Sequence, residues 1–482
     1  VERLEDRSLL SFNPITSYSV GTNPQAVVTA DFNNDTKLDL ATANAGSNSV
    51  SVRHGNGLGG LEDVNHFPTD PAPQAMTVGD FNHDGNLDLV TATSKFTGGG
   101  DANYISLLMG DGDGGFGMPI NIVSDVGWQF RSVAAGDFNA DGNMDLVYTY
   151  ASVFEPTEVY SLLGDGQGGF ELGNWAGLRD PVALAVADLN RDGKPEVITA
   201  NQYEGTVTVL MGDHWLSTFD PDYIEFATGS SPRSVAIGDF TDDGIPDVAT
   251  AGRMIDILPG LGDGTFAAPI NHSVNSNGMT AVAAADFNED GKLDIVTSDP
   301  GTGAVIVLLG NGNGTLGPPI YHAAGLSPGA VTVADFNADG QPDVMVANAG
   351  SNRVSVLLND GDWSAPPAPA LVSIGDVTKT EGKKGKTTLF TFTVTLSASY
   401  DQPVSLSYQT VNGTATTGNN DYVAKSGTLT FAPGETRKEI TIEVKGDTKK
   451  EANETFYLDL LDLSTNALFT KNRGIGTILN DD

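Results

Sequence analysis

DFNADGQPDV, residues 335–344, recurs in variant form seven times along this chain, the copies starting at Asp31, Asp80, Asp137, Asp188, Asp239, Asp286 and Asp335. Aligned, they share a nine-residue pattern: Asp at position 1, usually Asn at 3, Asp at 5, usually Gly at 6 and an acid at 9. Oxygen-bearing side chains on alternate positions around a Gly turn are how a short loop surrounds a hard cation. Positions 1, 3 and 5 offer side-chain oxygens, position 7 its backbone carbonyl, and the last acid closes the shell. The candidate ligands are Asp31, Asn33, Asp35, Lys37 and Asp39 in the first loop, then Asp80, Asn82, Asp84, Asn86 and Asp88 in the second. Asp137, Asn139, Asp141, Asn143 and Asp145 follow, then Asp188, Asn190, Asp192, Lys194 and Glu196. The last three sets are Asp239, Thr241, Asp243, Ile245 and Asp247; Asp286, Asn288, Asp290, Lys292 and Asp294; and Asp335, Asn337, Asp339, Gln341 and Asp343. All-oxygen ligation without His or Cys selects calcium over zinc or copper, and magnesium, which keeps its waters, fits less well. A plain Asp-Gly hairpin turn accounts for positions 5 and 6 but not for the acids at 1 and 9 in every copy. Thr36 in place of Gly and Thr241 in place of Asn predict that the first and fifth loops bind most weakly.

The first Asp of each loop recurs at intervals of 49, 57, 51, 51, 47 and 49 residues, a period that suits one four-stranded propeller blade. Each period runs a short apolar strand into the acidic loop, then a second and third strand, then a Gly-rich turn such as GDGDGGF (110–116) or GNGNGTL (310–316). No helical pattern follows those turns, so they read as hairpins and not as phosphate cradles. The residue before each loop is small (Ala or Gly), as an innermost strand crowding a central axis requires. Position 2 is Phe or Leu and should anchor the loop in the blade core. Fourth strands begin FGMPI (116–120), FAAPI (266–270) and LGPPI (316–320). After the last third strand that signature is missing, but SFNPI at 11–15 has it. The expectation is therefore an all-β chain: a seven-bladed β-propeller over residues 11–363, closed by an N-terminal strand. A Pro-rich linker (364–370) and a C-terminal seven-stranded β-sandwich (371–482) complete it. Residues 1–10, within VERLEDRSLLSF, resemble a sorting segment of bacterial surface proteins. Without a hydrophobic signal region, the chain is expected to be a processed or excised part of a longer precursor.

The formal net charge is −37, and −35 of it falls in residues 1–370, which excludes nucleic acid as a natural partner and favours cations. There is no Cys, hence no disulfide or thiolate chemistry, and no run of 18 apolar residues that could span a membrane. A calcium-loaded fold makes physical sense where calcium is abundant, so the expected location is secreted or cell surface. The six His residues are scattered, none pairs with a nucleophile, and no catalytic residue is assigned.

The loops, with the VSVLLGNGNGT-like segments that follow them, resemble FG-GAP/VCBS repeats of the kind that build the integrin α-subunit propeller. That resemblance implies calcium in the loop between the first two strands of a blade, about seven ions in all, and a ligand face on the opposite rim. There, Phe96, Tyr104, Tyr150 and Phe154 in the second and third blades are candidates to stack on a sugar or dock a protein. TEG (380–382), NDYVAKSGTLTFAPGETRKEITIEV (420–444), GDTKKEANETFYLDL (446–460) and GIGTILNDD (474–482) resemble a Calx-β module. The resemblance implies further calcium ligands at Glu381, Asp421, Asp447, Glu451, Glu454, Asp481 and Asp482, although Gly446 stands where calcium-sensing members often have Asp. The functional expectation is a calcium-binding extracellular adhesion or binding module with a protein or glycan ligand. A lectin or polysaccharide lyase, and a structural spacer of a large surface protein, are the alternatives.

Overall fold

The computed structural model describes residues 12–480 except 14, 95–101, 127–128, 152–156, 213–222, 275, 277, 362, 364–369, 398–402, 433–434, 449, 451 and 465–466. The sorting-like segment, the Pro-rich linker, Phe96 and Phe154 thus lie outside the described residues. Every named element is a strand, as alternating small apolar residues punctuated by Gly, Asn and Asp dictate.

Among the described residues, seven antiparallel four-stranded sheets precede the last domain. Their first strands, Pro24–Ala30, Pro73–Gly79, Gln129–Gly136, Pro181–Ala187, Ser234–Gly238, Val282–Ala285 and Pro328–Ala334, each pack against the next, and the last packs against the first. Second strands such as Asp39–Asn44 and Asp343–Asn348 are buried along their whole length. The apolar cores lie between neighbouring sheets: Phe287, Val296 and Val305 of the sixth blade pack with Val344, Val346 and Leu357 of the seventh.

The seventh sheet is completed from the other end of the chain, since Thr16–Ser19 pairs antiparallel with the third strand, Arg353–Leu357, in the register Ser17↔Ser355. Just before it, Phe12 makes a bridge with Asn359, the counterpart of Gly110↔Phe116 and Gly310↔Leu316 in other blades. Phe12 is fully buried and meets Phe287, His322 and Trp363 edge-on at ring distances of 6.0, 4.7 and 5.4 Å. Closure by backbone pairing covers the edge of the third strand, Arg353–Leu357, and makes the seventh sheet four-stranded like the others.

His322 sits in this aromatic seam, 3% exposed, with neither ring nitrogen hydrogen-bonded among the described residues, and burial lowers its pKa to about 3. A base whose folded pKa lies below its unfolded value of 6.5 favours the fold fully above that pH. The contribution fades as pH falls from 6.5 toward 3, by about 1.4 kcal/mol per pH unit. Replacing His322→Leu is therefore expected to leave stability near pH 7.5 little changed and to flatten its loss between pH 6.5 and 4, read as the difference between the two denaturation midpoints across pH.

The C-terminal domain is a sandwich of one four-stranded and one five-stranded sheet, nine strands among the described residues where the sequence predicts seven. Two apolar runs each break and change sheets. Ala370–Ile374 and Val377–Thr380 part at Gly375 and Asp376, and Ala467–Lys471 and Arg473–Leu479 part at Asn472. Asp376 Oδ1 pins both corners together, accepting the Ile475 N–H (2.8 Å) and the Lys471 ammonium (2.7 Å). Alternation alone does not reveal such a crossing, because the period continues through it. On the propeller side, Ala323 of the sixth blade joins the sandwich core cluster, and Gly303 lies close to Phe469 and Asn472.

Candidate metal centres

Each acidic loop leaves the end of an inner strand and enters the second strand, so all seven stand on one rim. The chain is turned by its own carboxylates. In the seventh loop Asp335 Oδ1 accepts the Asp339 N–H (3.2 Å) and its Oδ2 the Gly340 N–H (2.8 Å). Asn337 Oδ1 accepts the same Asp339 N–H (3.0 Å), and Asp339 Oδ1 accepts the Gln341 N–H (2.9 Å). Equivalent bonds recur in the other loops, for example from Asp141 and Gly142 to Asp137. The fifth loop lacks the position-3 contact because Thr241 has no carbonyl to offer.

Position 9 does a different job. Its carboxylate is fully buried in all seven loops, at Asp39, Asp88, Asp145, Glu196, Asp247, Asp294 and Asp343. One oxygen accepts the N–H of the position-2 residue, as Phe32 donates to Asp39 (3.0 Å) and Phe287 to Asp294 (2.8 Å). The other accepts a backbone N–H at the end of the third strand, from Gly55 (2.9 Å) in the first blade and Asn359 (2.7 Å) in the last. Among the described residues none of these seven acids has a cationic side-chain partner. Burial above all raises their pKa, and the neighbouring acids at positions 1 and 5 add to it in most loops; Asp294 and Asp343 reach about 6. A carboxylate holds about four lone pairs, so two N–H bonds leave room for a cation. A buried, uncompensated acid beside two more acids and an Asn oxygen is a donor set that fits a hard divalent ion. Among the described residues, however, no group of three or more His, Asp or Glu side chains is drawn together as a metal cluster. The position-1, 3 and 5 oxygens are instead engaged by loop N–H groups.

The partner of the position-5 carboxylate separates the loops in a way the sequence reading missed. In four of them the position-3 amide donates to Asp Oδ2 at position 5, as Asn82 does to Asp84 (2.9 Å). In the first and sixth, Lys37 and Lys292 place an ammonium on that oxygen instead, at 2.9 and 3.4 Å. A cation entering those two loops must displace a lysine. The expectation of a weak first loop gains a second cause, and the sixth joins it.

Two further devices tie neighbouring blades on this rim. Position 4 is left-handed in every loop, with φ from 56 to 61° at Asn34, His83, Ala140, Arg191, Asp242, Glu289 and Ala338. From there Asn34 Nδ2 reaches Asn86 Oδ1 (3.2 Å) in the next loop, and the His83 ring reaches Asn143 Oδ1 (3.0 Å). The Gly-rich turns also latch backwards: the Gly114, Gly168 and Gly314 N–H groups donate to the Phe32, Phe81 and Phe240 carbonyls, and Gly59 reaches Phe336 across the seam. The seventh blade lacks such a turn, and the Asn359 amide makes the bond to the Phe287 carbonyl (2.8 Å) in its place. No residue type at position 4 announces this role.

Position 6 is Gly at φ of 82 to 90° in six loops and Thr36 at φ 70° in the first. A Cβ at Gly85, Gly142 or Gly340 would meet nothing within 4 Å, so conformation, not space, sets the preference. Thr36→Gly is expected to stabilise the chain by roughly 0.5–1 kcal/mol, the left-handed strain relieved less the added freedom of the unfolded chain. A denaturation midpoint that falls or stays put would show that Thr36 is unstrained.

At one end of the sandwich the 381–386 loop, residues 446 and 447, and the strand starting at Glu454 converge: the Glu381 N–H donates to the Leu479 carbonyl, and Gly385 and Gly446 exchange bonds with one another's segments. Glu381 is buried, Asp447 exposed, and Asp421 Oδ2 accepts the Thr416 N–H (2.7 Å). Glu451, Asp481 and Asp482 lie outside the described residues. Gly446 has a physical reason: a Cβ there would stand 2.0 Å from the Gly382 carbonyl oxygen, so no Asp fits. Of the aromatic candidates, Tyr104 is half-buried on the third strand of the second blade. Tyr150 is buried in the third-blade core, its hydroxyl on Asp125 and its ring against Phe130 and Tyr160, which removes it from an exposed ligand face.

A family model of FG-GAP-like repeats matches residues 31–91, 188–250, 248–297 and 286–346, and one of the Calx-beta domain matches 376–482. The chain is therefore one of FG-GAP-like repeats followed by a Calx-beta domain, a calcium-binding module after repeats of adhesion type. Both are families of binding or structural modules. The third loop, Asp137–Asp145, falls outside the matched stretches yet makes the same hydrogen bonds. No curated protein matches the chain. Among solved structures, the apo-form Calx CBD1 domain is 27% identical over 24% of this chain and 99% of its own, with a TM-score of 0.21. CBD12 from CALX1.2 is 28% identical over 23% of this chain and 46% of its own, at 0.21. Sqt1 from Chaetomium thermophilum is 13% identical over 70% and 83%, at 0.45.

Proposed function

We propose that this chain is an extracellular, calcium-stabilised binding module in which the seven propeller loops take one Ca²⁺ each as a structural ion. The observation that carries it is the set of seven buried position-9 carboxylates, each fixed by two backbone N–H groups and none neutralised by a side chain among the described residues. When bound, calcium would supply the missing positive charge. Positions 1, 3, 5 and 9 would hold it together with the carbonyl of 7. The chain's own part is to hold the second strand, the third strand and the loop on one carboxylate, so that the ion and the blade order together. With that rim given over to holding blades, a protein or glycan ligand is left the opposite one.

The test is calcium uptake by the whole chain, measured by equilibrium dialysis, joined to a glycan and protein-ligand array probed with and without chelator. Uptake approaching one ion per loop, and array binding lost on chelation, support the proposal. Negligible uptake, or binding indifferent to chelator, overturns it. New unsaturated sugar ends in the array eluate would assign a lyase instead.

A further inference from the structure

The rim opposite the acidic loops is formed where inner strands begin and second strands end, and between the fourth and fifth blades it opens a cleft of about 420 Å³. Asp180, Gln202, Tyr203, Ser231, Arg233 and Arg253 line it. Three backbone segments are locked around it: the Arg233 N–H donates to the Ala251 carbonyl and the Met279 N–H to the Gly252 carbonyl, both at 2.8 Å. Gly278, at φ 144°, leaves room for the guanidinium, since a Cβ there would lie 3.2 Å from Arg233 Nη1.

The charge of this cleft runs against that of the chain. With 62 acids to 25 bases, arginines here are expected to be taken up by carboxylates, and the nearby ones are: Arg131 pairs with Asp180 (2.6 Å) and Arg179 with Glu204 (3.3 Å). Among the described residues the Arg233 and Arg253 side chains make neither ion pair nor hydrogen bond, although both line the cleft. Two unneutralised guanidinium groups present forked donors suited to a carboxylate or sulfate. Beside them Tyr203 is 84% exposed, a flat apolar face with nothing upon it. Gln202, Ser231 and Asp180 add the mixed donors and acceptors that hydroxyl groups need. Arg233 also lines the mouth of the central channel, about 490 Å³, with Gln25, Gln74, Ser132 and Thr280, so the polar surface continues past the cleft.

We propose that this cleft binds an acidic oligosaccharide. A uronate- or sialate-type carboxylate sits on Arg233 and Arg253, a sugar ring stacks on Tyr203, and adjoining units run toward the channel mouth. An acidic peptide would satisfy the arginines but would leave the hydroxyl-seeking groups and the aromatic face without partners. The inference rests on the binding-module reading and adds a site and a ligand class to it.

The experiment is titration calorimetry on the whole chain at fixed calcium, with hyaluronan hexasaccharide and 3′-sialyllactose as acidic probes, cellohexaose as neutral control and hexaglutamate as acidic peptide. At least one acidic sugar is expected to bind saturably, more weakly as salt rises, and about tenfold or more tighter than cellohexaose. Arg233→Ala and Arg253→Ala should each weaken it about tenfold without moving the melting temperature, because both side chains are exposed; Arg253→Lys should recover only part, since an ammonium cannot fork. Acidic sugars binding no better than cellohexaose, or as tightly to both Ala variants as to the native chain, would overturn the proposal. Tighter binding of hexaglutamate would overturn it in favour of a peptide site. An array ligand that survives both Arg substitutions would refute the cleft while leaving the binding module standing.

Discussion

Stripping divalent cations from the chain is expected to lower its stability by up to roughly 10 kcal/mol, enough to unfold most of an ordinary domain at room temperature. With a loop about tenfold below ambient calcium in dissociation constant, each ion contributes RT ln 11, about 1.4 kcal/mol, so roughly 10 kcal/mol is the ceiling for seven loops, which the weaker first, fifth and sixth loops lower. The structural cause is the position-9 acid. Without an ion, seven buried carboxylates face the acids at positions 1 and 5 while anchoring the strands on either side. Calorimetric melting in calcium, and again after chelation and dialysis, measures the effect. A melting temperature that does not move would leave the loops as hydrogen-bonded turns and no more. Asp88→Asn in the second loop tests one site: it should abolish that loop's share of the calcium effect, and its Oδ1 can still accept one of the Phe81 and Gly110 N–H groups while Nδ2 leaves the other without an acceptor.

Phe12→Ala is expected to cost about 3–5 kcal/mol, because a fully buried aromatic is removed from a site that cannot collapse. Its neighbours Phe287, His322 and Trp363 come from the sixth blade and the segment after the seventh, so the cavity would open across the seam. The strand that follows, Thr16–Ser19, then loses its anchor, and the third strand of the seventh blade gains a free edge. Denaturant unfolding should show the midpoint falling, with proteolysis beginning at the N-terminus. Linking the paired positions with Ser17→Cys and Ser355→Cys, whose hydroxyls stand 3.1 Å apart, should recover about 2–4 kcal/mol by holding the seam covalently. If the linked Phe12→Ala chain is no more stable than the unlinked one, closure is not what Phe12 supports.

The architecture was legible because its signals repeat. Position 2 reads as an anchor, and Phe32, Phe81, Phe138, Leu189, Phe240, Phe287 and Phe336 are all buried. SFNPI marked the returning strand because its Phe12 takes the same bridge as Phe116 and Leu316. Other features gave no sign. Lys37 and Lys292 read as position-7 residues that lend only a backbone carbonyl, yet each places its ammonium on the position-5 carboxylate. Tyr150 reads as an exposed loop aromatic, but a strand that extends to Ala151 carries it into the core. The sandwich strands read as seven because a strand that bends from one sheet to the other keeps its alternation.

By itself, then, the amino-acid sequence determined the repeat, the strand order within it and the run of oxygen-bearing side chains in each loop, because these depend on residues within one period of about 50. Only the tertiary structure decided how the donors are used and where charge is left over. Burial of the position-9 acids, the latch from the Gly-rich turns at Gly59, Gly114, Gly168 and Gly314 to the preceding blade, and the meeting of Tyr203, Arg233 and Arg253 join residues that lie far apart in the chain. Such meetings are fixed by ring closure and blade packing, and no short pattern encodes them.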